Sequence, residues 1–572
     1  MRTNPKGRWM TDRQILRVLA AAAAVAVVSL LAGCVSIPAE GPATQGLSIA
    51  ANASGTGFEV NPVGPGRGDT PAAILKGFIA AFQSSTGGYA VAREFLSTTF
   101  AGKWDPSQIV QVRTGNARYT PVDGNTIDYS FTTNAIVDST GTYKPSNSPS
   151  TLEFSFTKQN GQWRISEAPN GIVLPDATFQ RLFNKQALYF LDQGLQNLVP
   201  DLRWFPSGSA ATRIVSALLA GPPAWLEGAA RSEFPDGTQL TTAGSLVPVV
   251  GGVAKVDLTR EAKTATPREQ QYMLLQLSES LRRLSSVSSV AITVEGAPLV
   301  IEDLGANGPE VDPLVDSQAL VYRSSDFGFY ANDKVASLPQ LSSKIPPLVP
   351  TSATLSTDGS AVAVRGGGGV SVVRRSAQAP LLLDSRPGLI APTMDENGFI
   401  WTVPADDPNA IRAFDPTGAA HPVTTSLPVD AQVMSLQISR DGARVALLLS
   451  SSTGPRLVIA AILRDSKFVP TGLGPLVVDV PLESGDATEV TWVNELTVAT
   501  LVGVGAQSAV DEFEIGGQHV QLGVLLAGSK SIIGGNGQQG LRVVGDDGVV
   551  YTYQGSTWQS ARVTVSFVAT QR

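Results

Sequence analysis

One cysteine and two histidines in 572 residues leave this chain almost without the side chains that bind transition metals or run thiol chemistry. Cys34, His421 and His519 fall far short of the ligand count and spacing of a zinc site, and neither histidine has a nearby catalytic partner, so no metal, cofactor or enzymatic role is expected. A single thiol closes no disulfide within the chain, so an exported form of it has to stand on ordinary hydrophobic cores. Charged residues are scarce at 16%, and the net charge is minus 7. That acidic balance argues against nucleic acid, whose binding rests on clustered cations. Glycine (56) and proline (38) are plentiful instead, which favours many short strands and turns. Beyond residue 31, no apolar run approaches the roughly 20 residues of a spanning helix.

What is present begins around the one cysteine. Arg2, Lys6, Arg8, Arg13 and Arg17 precede an apolar run from Val18 to Leu31, and the small residues Ala32 and Gly33 lead into Cys34. This is the layout of an export signal, and the apolar run is too short for an uncleaved anchor. The Leu-x-Gly-Cys order resembles the bacterial lipobox. A thiolate is readily alkylated, so the expectation is cleavage between Gly33 and Cys34, a diacylglycerol (palmitate among its chains) on the Cys34 sulfur, and acylation of the new amino group. Each buried methylene contributes about 0.8 kcal/mol, so two or three acyl chains hold a protein to the extracytoplasmic face of the cell membrane. Without residues 1–33 the net charge is minus 11, which argues against a second, polybasic membrane contact.

Residues 34–68 are Pro, Gly, Ala, Ser and Thr with little periodicity, the composition of a flexible stalk. Thr70 and Pro71 then make a helix start, with Ile74, Leu75, Phe78, Ile79 and Phe82 on one face. A second helical piece is expected from Tyr89 to about Phe100. The period then switches to two over Gln108–Arg113, Thr126–Ile136, Thr151–Lys158 and Gln162–Glu167. Helices followed by a sheet predict a small α+β domain, NTF2-like or cystatin-like, over 69–182. Ser155 and Lys158 match a Ser-x-x-Lys string, but an offset of three on a strand sends them to opposite faces.

The next segment alternates strand and helix. Leu188–Leu191 reads as a strand and Ser209–Leu219 as a helix stopped by Gly221 with Pro222 and Pro223, followed by a strand at Val253–Leu258. Thr266-Pro267-Arg268-Glu269 is a capping box heading a helix that aligns Leu274, Leu277, Leu281 and Leu284. With Phe234-Pro235-Asp236-Gly237-Thr238, Val256-Asp257-Leu258 and Val290–Gly296, these motifs resemble the GerMN domain over 187–302. The resemblance implies an α/β unit associated with the cell envelope and carries no catalytic residue. Asp257 reads as a strand-end turn residue.

From residue 311 to 572 a loose repeat appears. Ser-Thr-Asp-Gly at 356–359 returns around Gly398, as Ser-Arg-Asp-Gly at 439–442, and more weakly around Glu495 and Gly548. Spacings of this size are those of propeller blades, in which Asp-Gly suits the tight turn between strands. The expectation is an all-β propeller. Asp546 and Asp547 are its obvious pore carboxylates, although both fall at a hairpin turn. Gly366–Gly369 lacks the Lys-Ser/Thr that completes a P-loop and reads as a hairpin connection rather than an anion nest.

A lipobox, stalk, α+β domain, GerMN-like domain and propeller, in that order, resemble the LpqB family of actinobacterial lipoproteins. The resemblance implies a partner, the extracytoplasmic domain of the sensor kinase MtrB of the MtrA/MtrB two-component system, and an influence on cell-envelope homeostasis and division. A cell-wall ligand for the propeller is a further expectation. The alternative is an exported glycan- or small-ligand-binding lipoprotein, with or without hydrolytic activity. Acids converging on one pore mouth would favour that alternative, and an exposed apolar patch on the first two domains would favour a partner surface.

Overall fold

The structure, a computed structural model, describes residues 62–242, 246–305, 308–482, 485–525 and 528–572. The export signal, Gly33, Cys34 and the stalk as far as residue 61 lie outside the described residues.

The first domain is a curved sheet wrapped round helices. Helix α1 (Pro71–Ala81) starts where Thr70 Oγ1 accepts from the Ala73 amide, with Pro71 pre-set for the first turn. It buries Ile74, Leu75, Phe78 and Ile79. The second helical piece is divided in two, α2 (Thr86–Glu94) and α3 (Thr98–Ala101). Its apolar pattern runs on, but Phe95 O accepts from Ile165 N, Ser97 N donates back to Ile165 O, and that pairing with a strand ends the helix. Strands β1 (Ile109–Pro121), β2 (Thr126–Asp138), β3 (Tyr143–Gln159), β4 (Gln162–Glu167) and β5 (Ile172–Pro175) form one sheet in the order β4-β3-β2-β1-β5. Along β2 burial alternates strictly, with Ile127, Tyr129, Phe131, Ala135 and Val137 turned to the helices. Helix α4 (Asp176–Leu182) ends the domain.

The second domain opens with a hairpin, β6 (Phe183–Asp192) and β7 (Leu198–Pro206), paired from Phe183–Pro206 to Leu191–Leu198. Helix α5 (Ala210–Leu219) follows, then β8 (Val253–Leu258), helix α6 (Pro267–Leu281) and β9 (Ser289–Val294), which runs parallel to β8. The capping box is formed in both directions: Glu269 N donates to Thr266 Oγ1, and Thr266 N donates to Glu269 Oε2. Ala254, Val256, Leu258, Ile292 and Val294 face the two helices in one core.

The remainder is a propeller of six blades among the described residues. Blade two is built on Ser352–Leu355, Ala361–Gly366, Gly369–Arg374 and Leu381–Asp384, and blade three on Thr393–Met394, Ile400–Thr402, Arg412–Phe414 and Ala420–Pro422. Blades four, five and six follow over 432–481, 486–525 and 529–564. Blade one takes three strands from 319–337 and completes its sheet with Phe567–Val568 from the far end of the chain. The repeat turns at Gly359, Gly398, Gly442 and Glu495 all join the first and second strands of their blades. Gly548 does not: it joins the second and third strands of blade six, where the equivalent first turn is the Gly534–Leu541 stretch. That echo matches the repeat in composition and is out of register in structure.

Side chains on the innermost strands clasp the next blade round the ring. Thr354 Oγ1 donates to Pro392 O (2.8 Å), and Trp492 Nε1 to Gln437 O (3.1 Å). Glu489 Oε2 accepts from Ile532 N (2.9 Å), and Thr491 Oγ1 from Gly534 N (2.7 Å).

Candidate functional site

Two features outside the separate cores stand out: a junction that locks the domains together, and a groove on the second domain. The junction is built on β6 and β7. Ala187–Leu191 is five apolar residues in a row, and most of both strands is buried, including Asp192, Asp201 and Arg203. A strand buried on both faces needs cover on both sides. On one face Leu188, Phe190 and Val199 enter the second domain's own core, and the first domain covers the Arg203–Trp204 end of the hairpin: Arg203 Nη1 donates to Thr140 Oγ1 and Thr142 Oγ1 (both 2.7 Å), and Trp204 N to Gly141 O (2.8 Å). The Trp204 ring stacks on Tyr143 at 5.3 Å and lies 4.9 Å from Phe179, while its Nε1 reaches Gly516 O of blade five at 2.9 Å. Arg203 also pairs with Asp201, whose carboxyl burial pushes up and the guanidinium pulls back down.

The other cover is the propeller face that carries the first turn of each blade. Tyr189 donates its hydroxyl to Glu495 Oε1 (2.6 Å), which also takes Arg283 Nη2 (2.8 Å). Asn197 Nδ2 donates to Glu396 Oε2 (2.8 Å). Burial, with Asp192 and Asp441 nearby, pushes the Glu396 carboxyl up to about 10, so it is protonated at neutral pH. Around it, Asp395 Oδ2 binds Arg464 Nη2 (2.7 Å), and Asp441 pairs with Arg444. Arg440 donates to Pro313 O and Gly535 O, and the buried Arg572 to Ser439 O.

Acids therefore do converge at one mouth of the propeller, and they are spent there. Each carboxylate of the mouth named above is hydrogen-bonded or paired within the fold, and the hairpin and the 310–316 segment cross over that face. Among the described residues no three His, Cys, Asp or Glu side chains are placed to hold a metal ion. The geometry ties the hairpin to the propeller mouth through these acids and arginines.

The groove, of about 640 Å³, runs over the outer face of the β8–β9 sheet and round its edge to Leu274 of α6. Leu246, Pro248, Ala291, Pro298 and Leu299 line it with Lys255 and Asp257. Asp257 proves to be a clasp: Oδ1 accepts from Thr293 Oγ1 (2.6 Å) and Gly296 N (2.8 Å), and Oδ2 from Thr241 Oγ1 (2.6 Å). Those donors hold its carboxyl below the usual range.

The other sequence candidates lie apart from both features. Asp546 and Asp547 are exposed at their hairpin turn, where Asp547 Oδ1 caps Val549 N. Gly366–Gly369 is a hairpin connection between two strands of blade two. It is not slack, because a Cβ at Gly366 would stand 2.0 Å from Leu348 O and one at Gly369 2.1 Å from Asp384 O. His421 Nε2 meets Asp415 Oδ2 at 3.1 Å, and His519 stacks on Phe513. Ser155 pairs in register with Thr126 and Glu167, while the Lys158 ammonium lies over the Trp163 ring. Sequence reasoning missed Arg203, Trp204, Glu396 and Arg464. The available signal was the unbroken apolar run of β6, which breaks the alternation of a half-exposed strand.

Three family models match the chain in order: "Lipoprotein LpqB, N-terminal domain" over residues 64–180, "Sporulation and spore germination" over 187–300, and "Lipoprotein LpqB beta-propeller domain" over 330–566. The chain is 26% identical to Lipoprotein LpqB of Cutibacterium acnes over 613 aligned residues, covering 98% of this chain and 100% of that one. It is 23% identical to Lipoprotein LpqB of Bifidobacterium longum, covering 85% and 86%, and 26% identical to that of Mycolicibacterium smegmatis, covering 81% and 84%. Among solved structures, the first GerMN domain of the Bacillus subtilis sporulation protein GerM is similar at 22% identity, covering 23% of this chain and 95% of that one, with a TM-score of 0.17.

Proposed function

Because this chain belongs to the LpqB lipoprotein family, we propose that it is a lipid-anchored extracytoplasmic protein that binds the sensor kinase MtrB and alters its signalling, with no catalysis of its own. The family and the Leu-x-Gly-Cys order at 31–34 support the anchor; acylation of Cys34 tethers the folded domains beside the kinase. Confined to one membrane surface, two partners meet at a high effective concentration, so a contact of modest affinity is occupied. To change signalling the lipoprotein has to prefer one kinase state over the other.

The observation that carries this reading is the junction on β6 and β7. It joins three domains into one body, so a ligand or strain felt by one domain displaces a surface on another. The same joint occupies the acids that an enzyme or solute-binding reading would need at the propeller mouth.

The test is reconstitution of the full-length kinase in lipid nanodiscs with lipidated protein or with Cys34→Ala protein. Lipidated protein is expected to co-purify with the kinase and to shift its autophosphorylation rate. The Cys34→Ala protein is expected to fold normally, remain off the membrane and act only at far higher concentration. An unchanged rate with wild-type protein bound to the disc would refute the reading.

A further inference from the structure

The outer face of the β8–β9 sheet carries Val253, Lys255 and Asp257 on β8 opposite Ser289, Ala291 and Thr293 on β9. Helices α5 and α6 pack on the opposite face, so among the described residues no element of the second domain's core covers this one. Leu246, which lines the groove, is 71% exposed, and Val250, paired with Val253 at the sheet edge, is 57% exposed. An apolar patch with polar surroundings is the mark of an interaction surface. The groove is in the size range of ligand sites, but its open apolar rims suit a protein segment rather than a small molecule that must be enclosed.

Its charge defines the occupant. Asp257 has its carboxylate oxygens taken by Thr241, Thr293 and Gly296, so it keeps its charge but leaves Lys255 as the charged group with a free hydrogen-bonding head. Lys255 is exposed and enters none of the ion pairs among the described residues. Apolar walls of Leu246, Pro248, Pro298 and Leu299 round one unpaired ammonium are complementary to an apolar segment bearing a carboxylate. Anionic lipid is a poorer match, because polybasic membrane contacts use clusters of roughly four to eight cations.

Resting on the kinase reading above, we infer that this groove is the docking site for an apolar protein segment that carries an acidic residue, supplied by the extracytoplasmic domain of the kinase. Lys255 pairs with the acid, and the Ala291 floor, having no bulk beyond Cβ, admits the apolar side chains.

The experiment measures binding of the purified extracytoplasmic domain of MtrB to the full chain, wild type and variant, at two salt concentrations. Lys255→Glu is expected to weaken binding about tenfold and to remove most of its salt dependence, and Lys255→Arg to bind like wild type. Ala291→Trp, which fills the groove from an exposed position, is expected to abolish binding. Unchanged thermal melts check that the variants remain folded. Wild-type binding that neither Lys255→Glu nor Ala291→Trp alters would overturn the groove and leave the kinase reading standing. No wild-type binding here, together with no co-purification of lipidated protein with the full-length kinase in nanodiscs, would overturn both. A second arm uses vesicles of phosphatidylglycerol and phosphatidylethanolamine with unlipidated protein; cosedimentation lost in Lys255→Glu would assign the groove to the membrane and overturn the inference.

Discussion

Trp204→Ala tests the junction most directly, because one side chain there touches all three domains. The indole is 3% exposed, stacks on Tyr143, packs on Phe179 and donates Nε1 to Gly516 O of the propeller. Truncating a buried tryptophan costs about 3–5 kcal/mol, through lost apolar burial and the cavity left behind. Within that figure the hydrogen bond accounts for about 1 kcal/mol, since the Gly516 carbonyl loses its donor. Nearly all of this loss falls on contacts between domains rather than within one, while the backbone bond from Trp204 N to Gly141 O remains. The expected outcome is a change of cooperativity as well as of stability. Wild-type protein should unfold in one calorimetric transition, and Trp204→Ala in two, with the propeller melting apart from the first domain. Trp204→Phe keeps the stacking and should lose only about the hydrogen-bond share. Limited proteolysis supplies a second probe, with new cleavage expected near the β6–β7 hairpin. A single transition in Trp204→Ala at the wild-type midpoint would refute the claim that this residue couples the domains.

Two further outcomes follow from local geometry. Gly366→Ala sets a Cβ against the Leu348 carbonyl and should cost more than about 2 kcal/mol in chemical denaturation, whereas Gly367→Ala, with open space around it, should stay within about 0.5 kcal/mol; equal effects would show the connection to be slack. Burial pushes the Glu489 carboxyl up to about 8, against only the Ile532 amide pulling it down. The folded state therefore holds this proton more tightly than the unfolded state, so the stabilisation is complete below pH 4.5 and is lost as pH rises to about 8. Glu489→Gln should flatten the fall in Tm across that window, and an unchanged slope would count against it.

Much of the fold was legible because local rules and packing agree there. Thr70-Pro71 and Thr266–Glu269 start helices in the structure as their capping chemistry dictates, and four of the repeat turns, two of them Asp-Gly, mark blades in register. Legibility failed where a distant partner decides. The helix after Glu94 is broken by pairing with Ile165, and the Gly548 echo has the right residues on the wrong turn. The junction was hidden for the same reason: Arg203 and Glu396 are ordinary polar residues in sequence, and only the approach of Thr140 or Asn197 gives them their role. The groove was half legible. Asp257 drew notice as a carboxylate and is structural, while Lys255 two residues earlier drew none and carries the exposed charge.

The way blade one is completed sets an order of events in biosynthesis. Tyr322 pairs with Phe567 and Val321 with Val568, partners about 245 residues apart, and Thr570–Gln571 then lies along the first strand of blade two. A chain that crosses a membrane from its amino end would finish its first two domains and most blades while blade one still lacked its inner strand. Until residues 567–571 emerge, the strand at 319–323 presents unpaired backbone to its surroundings, the kind of edge that invites aggregation. Ring closure thus waits for residues 567–571, and chains truncated just before them would be marked by that open edge for proteolysis or rescue.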